Sequence, residues 1–354
     1  MGVLKSFLIK LTVVLFLPFL CACQMGYLLK SAKGQINLFT SRVDIEEALK
    51  DPQLKEKDRN KLLIAQEARK FAEEELGLKV TKNYTTFVQL HRPYVTYVVS
   101  AAPKWELKHH LWSFPILGKV PYKGFFDEKD ALEEAQELGK ENLDTYTRGV
   151  SAYSTLGWFK DSVLSSMLSY EDHILLNTII HETVHTTLYI KSSADFNERL
   201  ASFMGNKGME LYYLKKEGLQ SPTLQLAKEE NEDEKLFSQF ISKEIQQLET
   251  EYKNLPESEK IEEKRIQRFE LIQKKFNDEV APKLKHSFKS FNKIKLNNAR
   301  LLVYKTYLQD MSDFEELYEL MGHDFKRFMG QCKDLESSKE PEKALKSLIT
   351  QLKH

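Results

Sequence analysis

Residues 179–203, IIHETVHTTLYIKSSADFNERLASF, decide the fold that we expect around the functional site. Apolar residues surround His181 and His185, which is typical of a buried helix. Side chains four positions apart lie on one helix face, about 5–6 Å apart, so both imidazoles can bind the same metal ion. A second helix is expected to begin in the turn-forming SSADFN segment and to place Glu198 beside the first helix.

This His-Glu-x-x-His pattern predicts a catalytic zinc site, because zinc accepts two imidazoles and a carboxylate and keeps a fourth position for water. We expect one Zn²⁺ bound by His181, His185 and Glu198, with Glu182 as the general base. Two simpler interpretations stay open: an ordinary buried helix, and an exposed Glu198 that complements a helix dipole. Three other histidines are candidates for the third ligand: His109, His110 and His173.

The amino terminus has the parts of a bacterial export signal. Two lysines precede an apolar run from Leu11 to Leu20, which is too short to span a bilayer comfortably. Ala22 before Cys23 resembles a bacterial lipobox, so we expect residues 1–22 to be a signal peptide and Cys23 to carry lipid. This predicts a protein of the bacterial cell envelope that is anchored in the membrane and faces the periplasm. Gln24, which is not aspartate, favours the outer membrane over the inner one.

Composition excludes several classes of protein. The chain has 354 residues, of which 42% are hydrophobic, so it can bury a large core and is not disordered. Its 52 basic and 52 acidic residues give a net charge of +0, which argues against a nucleic-acid partner. After removal of the signal, Cys332 has no partner for an internal disulfide.

Hydrophobic periodicity predicts an α+β fold that is predominantly helical, with a small sheet lobe and a long helical C-terminal half. The His-Glu-x-x-His motif resembles that of the zincin metalloproteases, which implies a zincin-like core. Residues 43–77 are expected to be helical, and NYTTFVQL and YVTYVVSAAP are expected to be two strands of one small sheet. DTYTRGVSAYSTLGWF predicts a strand that ends before Gly157. The predicted divisions after the signal are an α+β lobe (23–170), active-site helices (171–223), a charged helical hairpin (224–287) and a helical C-terminal region (288–354).

Several blocks in order carry a resemblance to a known family: FPILGKVPYKGFFD, RGVSAYSTLGWFKDSVLSSML, HETVH, DFNERLASF and LNNARLLVYKTY. Together they resemble a bacterial family of predicted aminopeptidases that are also predicted lipoproteins, from the signal region to about Tyr307. The resemblance implies zinc-dependent peptide hydrolysis with His181, His185 and Glu198 as ligands and Glu182 as base. Asn197-Glu198-x-x-Ala201 also resembles the second motif of the gluzincin metallopeptidases.

Substrate binding is expected on an edge strand upstream of the metal helix, as in gluzincins. The predicted contacts are four residues of that segment: Ser151, Ala152, Tyr153 and Ser154. The better-known gluzincin aminopeptidases carry a glutamate in this strand, whereas this chain has no acid from Gly149 to Thr155. Asp161 or Glu171 could take the role of binding the free amine, and endopeptidase action stays open.

A hydrogen-bond donor to the tetrahedral intermediate is also needed. Tyr304 and Tyr307 are the candidates, with Tyr153 as a third, although each could instead be a packed aromatic. Three asparagines are expected to orient ligands from a second layer: Asn197, Asn297 and Asn298. The alternative functions are an adaptor lipoprotein that binds a protein partner through residues 224–287, and an amidase that acts on peptidoglycan peptides.

Overall fold

Helices make up most of the chain. The computed structural model describes residues 25–79, 81–114, 118–152, 160–259, 261–308 and 310–353. It is 62% helical with small sheets, which confirms the predicted α+β class and the predominance of helix. No helix in these ranges is long and apolar enough to cross a membrane. Cys23, Tyr153 and Ser154 lie outside the described residues.

The N-terminal part of the chain alternates helices with short strands. Its helices are α1 (residues 25–40), α2 (Ile45–Ala48), α3 (Glu56–Glu74) and α4 (Glu128–Lys140). Its strands are β1 (Val43–Asp44), β2 (Thr86–Val88), β3 (Thr96–Pro103), β4 (Trp112–Phe114), β5 (Gly118–Val120), β6 (Lys123–Phe125), β7 (Leu143–Val150) and β8 (Val163–Leu164).

The strands form separate small sheets. β2 pairs antiparallel with β1 and parallel with β8, whereas β3 lies between β6 and β7, antiparallel to both, and β4 pairs with β5. The expectation that β2 and β3 share one sheet is therefore wrong. β3 pairs along its whole length with β7, from Thr96 opposite Val150 to Pro103 opposite Leu143. This leaves β2 to pair with the distant β8 instead.

The C-terminal part of the chain is helical. Its helices are α5 (Asp172–Thr187), α6 (Ala194–Glu217), α7 (Pro222–Asn254), α8 (Glu262–Glu279), α9 (Asn298–Tyr307), α10 (Ser312–Leu320), α11 (Phe325–Asp334) and α12 (Pro341–Leu352). The predicted 224–287 hairpin contains most of α7 and all of α8. Ser221 begins α7 by accepting a hydrogen bond from the Leu224 backbone N–H at 3.0 Å.

Two cores hold the helices together. The first buries residues of α3, α5, α6 and α10 to α12, together with β2 and β8. The second lies between α7, α8 and α9, where the rings of Phe237 and Phe276 are 5.9 Å apart and those of Phe276 and Phe291 are 4.8 Å apart. The apolar faces of α7 and α8 are thus covered, and their charged faces point to solvent.

Candidate metal centre

α5 is buried on most of its circumference because α3 and α6 pack on either side of it. Leu175, Leu176, Ile179 and Ile180 are completely buried, as an all-round apolar helix in a large protein should be. At its first turn, Asp172 pairs with Lys61 of α3. The helix that carries His181, Glu182 and His185 is therefore fixed in position by packing and by an ion pair.

The turn between α5 and α6 is fixed by one buried asparagine. The Asn197 side chain accepts a hydrogen bond from the Ile190 backbone N–H at 2.9 Å and donates one to the Ile190 carbonyl at 2.8 Å. Asn197 is 2% exposed, so these bonds replace those it would make with water. The predicted second-layer residue Asn197 thus orients the segment that carries Glu198 rather than a histidine ring.

Small residues let α6 approach α5 closely. A Cβ atom on Gly205 would lie 2.7 Å from Asn177 Oδ1, and one on Gly208 would lie 3.1 Å from Ile180 Cδ1; both neighbours are on α5. Ala201, one turn before Gly205, is completely buried. This stripe of small side chains brings the two helix backbones near enough for the short Glu198 side chain to reach the histidines.

The two histidines and Glu198 converge on one point. The Nε2 atoms of His181 and His185 are 3.2 Å apart. Glu198 Oε2 lies 3.4 Å from His181 Nε2, and Glu198 Oε1 lies 3.7 Å from His185 Nε2. The side chains of His181, His185 and Glu198 are 19%, 7% and 13% exposed, so the point is sheltered but open to a small molecule.

Electrostatics separate the two glutamates. Burial raises the pKa of Glu182 from 4.5 to about 7; His181 lowers it, and the charges of Glu198 and Asp161 raise it further. Burial alone would also raise the pKa of Glu198, but His185 and His181 hold that pKa well below its usual value. Glu198 is therefore a stable anion at neutral pH, while Glu182 can both accept and release a proton.

The donor set fits a zinc ion. Zinc bonds of about 2.0–2.2 Å in a tetrahedron place neighbouring donor atoms about 3.3–3.6 Å apart, close to the observed spacings. Among the described residues, these three side chains form the group of histidine and acidic ligand atoms that lie within 4.8 Å of one another. His185 Nδ1 is buried and has no hydrogen-bond partner among the described residues. A zinc-bound imidazole often donates its other ring N–H to such a partner, and none is seen for His185 in these residues.

Comparison with known proteins adds the family. A family model described as "Putative aminopeptidase" matches residues 26–347, which is most of the chain. The chain belongs to this family. No curated protein and no solved structure shows significant similarity to it. Membership in the putative aminopeptidase family supports a peptidase-type function.

Other predicted residues of this family member lie in different surroundings. Tyr304 packs against the rings of Phe237 and Phe291 at 5.3 and 5.9 Å in the second core. Tyr307 is the last residue of α9, and its side chain lies outside the described part of the structure.

Two of the asparagines that were predicted to orient the metal ligands, Asn297 and Asn298, lie instead at the second core. Asn297 accepts a hydrogen bond from the Arg300 backbone N–H at 2.9 Å and donates one to the Thr145 carbonyl at 2.9 Å. Asn298 donates to the Pro103 carbonyl at 2.9 Å and accepts from the Tyr252 hydroxyl at 3.1 Å. Both asparagines therefore join α9 to the β3–β7 sheet.

The three rival histidines are engaged elsewhere. His173 Nε2 lies 2.7 Å from Glu230 Oε2, His109 Nε2 lies 3.2 Å from the Thr306 hydroxyl, and the His110 ring packs on Trp112 at 4.5 Å. Among the described residues, the side chain that joins His181 and His185 in one cluster is therefore Glu198 and not a third histidine.

The expected substrate strand is an edge strand, but it is shorter than predicted. β7 ends at Val150, so Ser151 and Ala152 follow the strand. The Val150 carbonyl faces β3, where it accepts from Val95 N–H, and the Thr145 carbonyl faces the other way, where it accepts from Asn297. Because strand geometry alternates, the backbone groups of Thr147 and Gly149 also face this outer edge. In the described ranges, no strand pairs with that edge.

The sequence did not predict that three residues interact electrostatically with Glu182: Tyr84, Asp161 and Tyr170. Tyr84 has φ +57°, its backbone N–H donates to the Asp161 carbonyl at 2.7 Å, and it is 2% exposed. Its buried hydroxyl has no hydrogen-bond partner among the described residues. Burial raises the pKa of Tyr84 well above 10.0, and the charges of Glu182 and Asp161 add to this. Burial likewise raises the pKa of Tyr170, which Ser151 lowers and Glu182 raises.

Proposed function

We propose that this chain is a zinc-dependent peptidase of the aminopeptidase type, with His181, His185 and Glu198 as the metal ligands. The observation that carries the proposal is the convergence of His181 Nε2, His185 Nε2 and the two Glu198 carboxylate oxygens, with spacings of 3.2, 3.4 and 3.7 Å, beside Glu182. Family membership independently supports the class of activity. The gluzincin type follows from Glu198 lying on the helix after the two histidines.

Glu182 is the proposed general base. When bound, zinc supplies a Lewis acid that polarises the scissile carbonyl and lowers the pKa of water toward neutrality. The Glu182 carboxylate takes the proton of the attacking water and passes it to the departing amine. A carboxyl group whose pKa lies at about 7 is suited to both transfers at neutral pH.

The outer edge of β7, with which no described strand pairs, is the proposed binding site for the substrate backbone. Thr147 and Gly149 present outward backbone groups, so an extended peptide can add as a further strand. Ser151, directly after this strand, hydrogen-bonds to Tyr170, whose pKa responds to Glu182. We propose that a peptide on this edge continues past Ser151 toward Glu182.

Asp161 is the proposed partner of the free amino terminus. Its side chain is 5% exposed, its Oδ2 accepts from the Asn83 side-chain amide at 3.5 Å, and its charge raises the pKa of Glu182. A peptide ammonium group bound near Glu182 would form an ion pair with this carboxylate in addition to the contacts that Asp161 makes within the protein. Asp161→Asn is expected to raise KM for peptides with a free amino terminus at least about tenfold and to leave KM for N-acetylated peptides unchanged. Equal effects on both kinds of peptide would contradict this role.

Tyr84 is the proposed positioning residue beside Glu182. Its buried hydroxyl lacks a protein partner in the described ranges, so bound substrate is the proposed partner that would complete its hydrogen bonding. The left-handed backbone of Tyr84 and its hydrogen bond to Asp161 hold the ring in this place. Strain of this kind is common at functional sites.

We also propose that Cys23 is lipidated and that the enzyme works in the bacterial cell envelope, facing the periplasm. The support is the sequence of the first residues: a charged start, a short apolar run and Ala22 before Cys23. Incorporation of labelled palmitate into the wild-type chain but not into Cys23→Ser tests the attachment.

A peptide-library digest by the purified protein tests the peptidase proposal, with products read by mass spectrometry. We expect release of single residues from free amino termini, loss of cleavage with a chelator and recovery with added zinc. Internal cleavage would keep the zinc chemistry and replace the aminopeptidase with an endopeptidase. Absence of cleavage in any peptide, with zinc present, would refute the proposed activity.

A further inference from the structure

One face of α1 is packed onto the β3–β7 sheet and α4. The Tyr27 ring meets the Phe125 ring edge-on at 5.4 Å, and its hydroxyl donates to the Gly124 carbonyl at 3.1 Å. A Cβ on Gly34 would lie 2.3 Å from the Phe126 ring, and Leu38 is 7% exposed. These contacts fix which way the helix is turned.

The opposite face of α1 is apolar and exposed. Met25, Leu29 and Ile36 are 55%, 65% and 57% exposed, and Ala32 between them is also exposed. With about 100° between successive residues, this outer stripe (Met25, Leu29, Ala32 and Ile36) lies on the far side of the helix from Tyr27, Gly34 and Leu38. Leu28, 53% exposed, widens it.

This pattern is unusual for a helix on a protein surface. Such a helix normally turns polar residues outward, and a helix with apolar residues on both faces is covered on both. The outer stripe runs about 17 Å along the helix, from the first described residue. Lys33 lies beside it and is exposed, while Lys30 pairs with Asp130 at 2.6 Å. The polar groups therefore border the stripe and do not interrupt it.

We infer that the outer stripe of α1 rests on the membrane surface, with Met25, Leu29, Ala32 and Ile36 in the boundary between headgroups and acyl chains. The inference depends on the proposed lipid attachment at Cys23, and it does not depend on peptidase activity. One residue, Gln24, separates Cys23 from Met25, and these two steps along the chain span at most about 7 Å, so the lipid chains hold the first turn of α1 at the bilayer. Lys33 then faces anionic headgroups.

A second copy of the chain is a weaker occupant. A stable protein interface involves about 20–30 residues on each side, whereas the outer stripe and Leu28 supply five. The apolar helix face beside the lipid chains adds its own buried area to the attachment that those chains provide. The stripe and the lipid therefore act together.

Probe fluorescence tests the inference on the full chain. Leu29→Cys and Ile36→Cys are each labelled with an environment-sensitive dye, and Asn37→Cys, on the polar side of α1, is the matched control. Cys332 is completely buried and stays unlabelled in the folded protein. Vesicles contain phosphatidylethanolamine and phosphatidylglycerol at a ratio of about 3:1, with or without a brominated-lipid quencher.

We expect dyes at positions 29 and 36 to shift to the blue on vesicle binding and to lose at least about half of their intensity to brominated lipid, with little change at position 37. Leu29→Gln with Ile36→Gln should weaken vesicle binding of the lipidated protein at least about tenfold, while Lys33→Gln has a smaller effect. Both results would support contact between the outer stripe of α1 and the membrane surface.

Three results would overturn it. The first is bound, palmitate-labelled protein whose dyes at 29 and 36 are not quenched. The second is a concentration-dependent dimer that Leu29→Gln with Ile36→Gln abolishes while vesicle binding is unchanged. The third is a chain without palmitate and without vesicle binding, which would refute the attachment at Cys23 and the membrane contact together. Peptide cleavage, measured separately on soluble substrates, is unaffected by all three.

Discussion

Replacing Tyr84 with phenylalanine removes one hydroxyl and leaves the ring in place. The hydroxyl is buried and has no hydrogen-bond partner in the described part of the chain, so the folded protein loses its hydration without replacing it. Such a group costs about 1–3 kcal/mol, and Tyr84→Phe should recover that amount. For a chain of this length this corresponds to a rise in melting temperature of about 1–4 °C.

Activity should change in the other direction. Because the phenol is proposed to complete its hydrogen bonds with the reacting substrate beside Glu182, its loss should lower kcat at least about tenfold and change KM less than about twofold. The matched control is Tyr252→Phe, because the Tyr252 hydroxyl donates to Asn298 Oδ1 at 3.1 Å in the second core. That variant should lose about 1 kcal/mol of stability and keep its kcat.

Melting curves and steady-state kinetics of the two variants decide the matter. A stabilised Tyr84→Phe with reduced kcat agrees with a positioning role. A destabilised Tyr84→Phe with unchanged kcat would refute it, because the hydroxyl would then be making a structural hydrogen bond.

Two further variants test the scaffold. Gly205→Ala should lower the free energy of unfolding by about 1–2 kcal/mol and weaken zinc binding, because its Cβ would lie 2.7 Å from Asn177 Oδ1. The control is Gly139→Ala on α4, where a Cβ meets nothing within 4 Å, so its free energy of unfolding should stay the same or rise by up to about 1 kcal/mol. Equal effects of the two variants in denaturant titrations would contradict the close approach of α6 to α5. Asp233→Asn should lower the free energy of unfolding by about 1–3 kcal/mol at neutral pH. Burial alone would raise the pKa of Asp233, but the backbone N–H donors of His286, Lys285 and Ser287 lower that pKa below 3.8. A carboxyl group whose pKa is lowered by folding stabilises the folded protein at every pH above its pKa in the unfolded chain, so the stability difference between wild type and Asp233→Asn should shrink as pH falls below about 4. A stability difference that is constant from about pH 7 to about pH 3 would exclude a role for the charge.

The helix pair of the candidate site could be predicted from sequence because its signals are local. The apolar flanks of His181 and His185 predict α5, and the turn before Asn197 predicts α6, within a few residues of their observed bounds. The pairing of α5 with α6 followed from a short connection. Gly205 and Gly208 were not recognised as part of this packing, although small residues at this helical spacing are a usable signal.

Long-range partners could not be predicted in the same way. Periodicity identifies β2 and β3 as strands, but it does not show that Phe87 pairs with Val163 while β3 pairs with β7. Asn298 was expected near the metal ligands because it is polar and lies in a distinctive motif, yet it binds Tyr252 and the sheet. Its place depends on α7 and β3, which are far away in sequence.

Tyr84 shows the same limit at the candidate site. In sequence it belongs to NYTTFVQL, a stretch typical of a strand, where a tyrosine is most simply a packed aromatic. Its left-handed backbone and its neighbour Asp161 become visible only in three dimensions. A local pattern identifies the residues that lie on the metal helix, whereas the residues that surround the base come from distant loops.

The most direct test of the account is the metal content of the purified protein together with the activity of Glu182→Gln. The account predicts one zinc per chain in both wild type and Glu182→Gln, strongly reduced zinc in His185→Ala, and peptide cleavage that falls by several orders of magnitude in Glu182→Gln. Cleavage at the wild-type rate by Glu182→Gln, or wild-type protein that cleaves peptides at full rate after its zinc is removed, would contradict it.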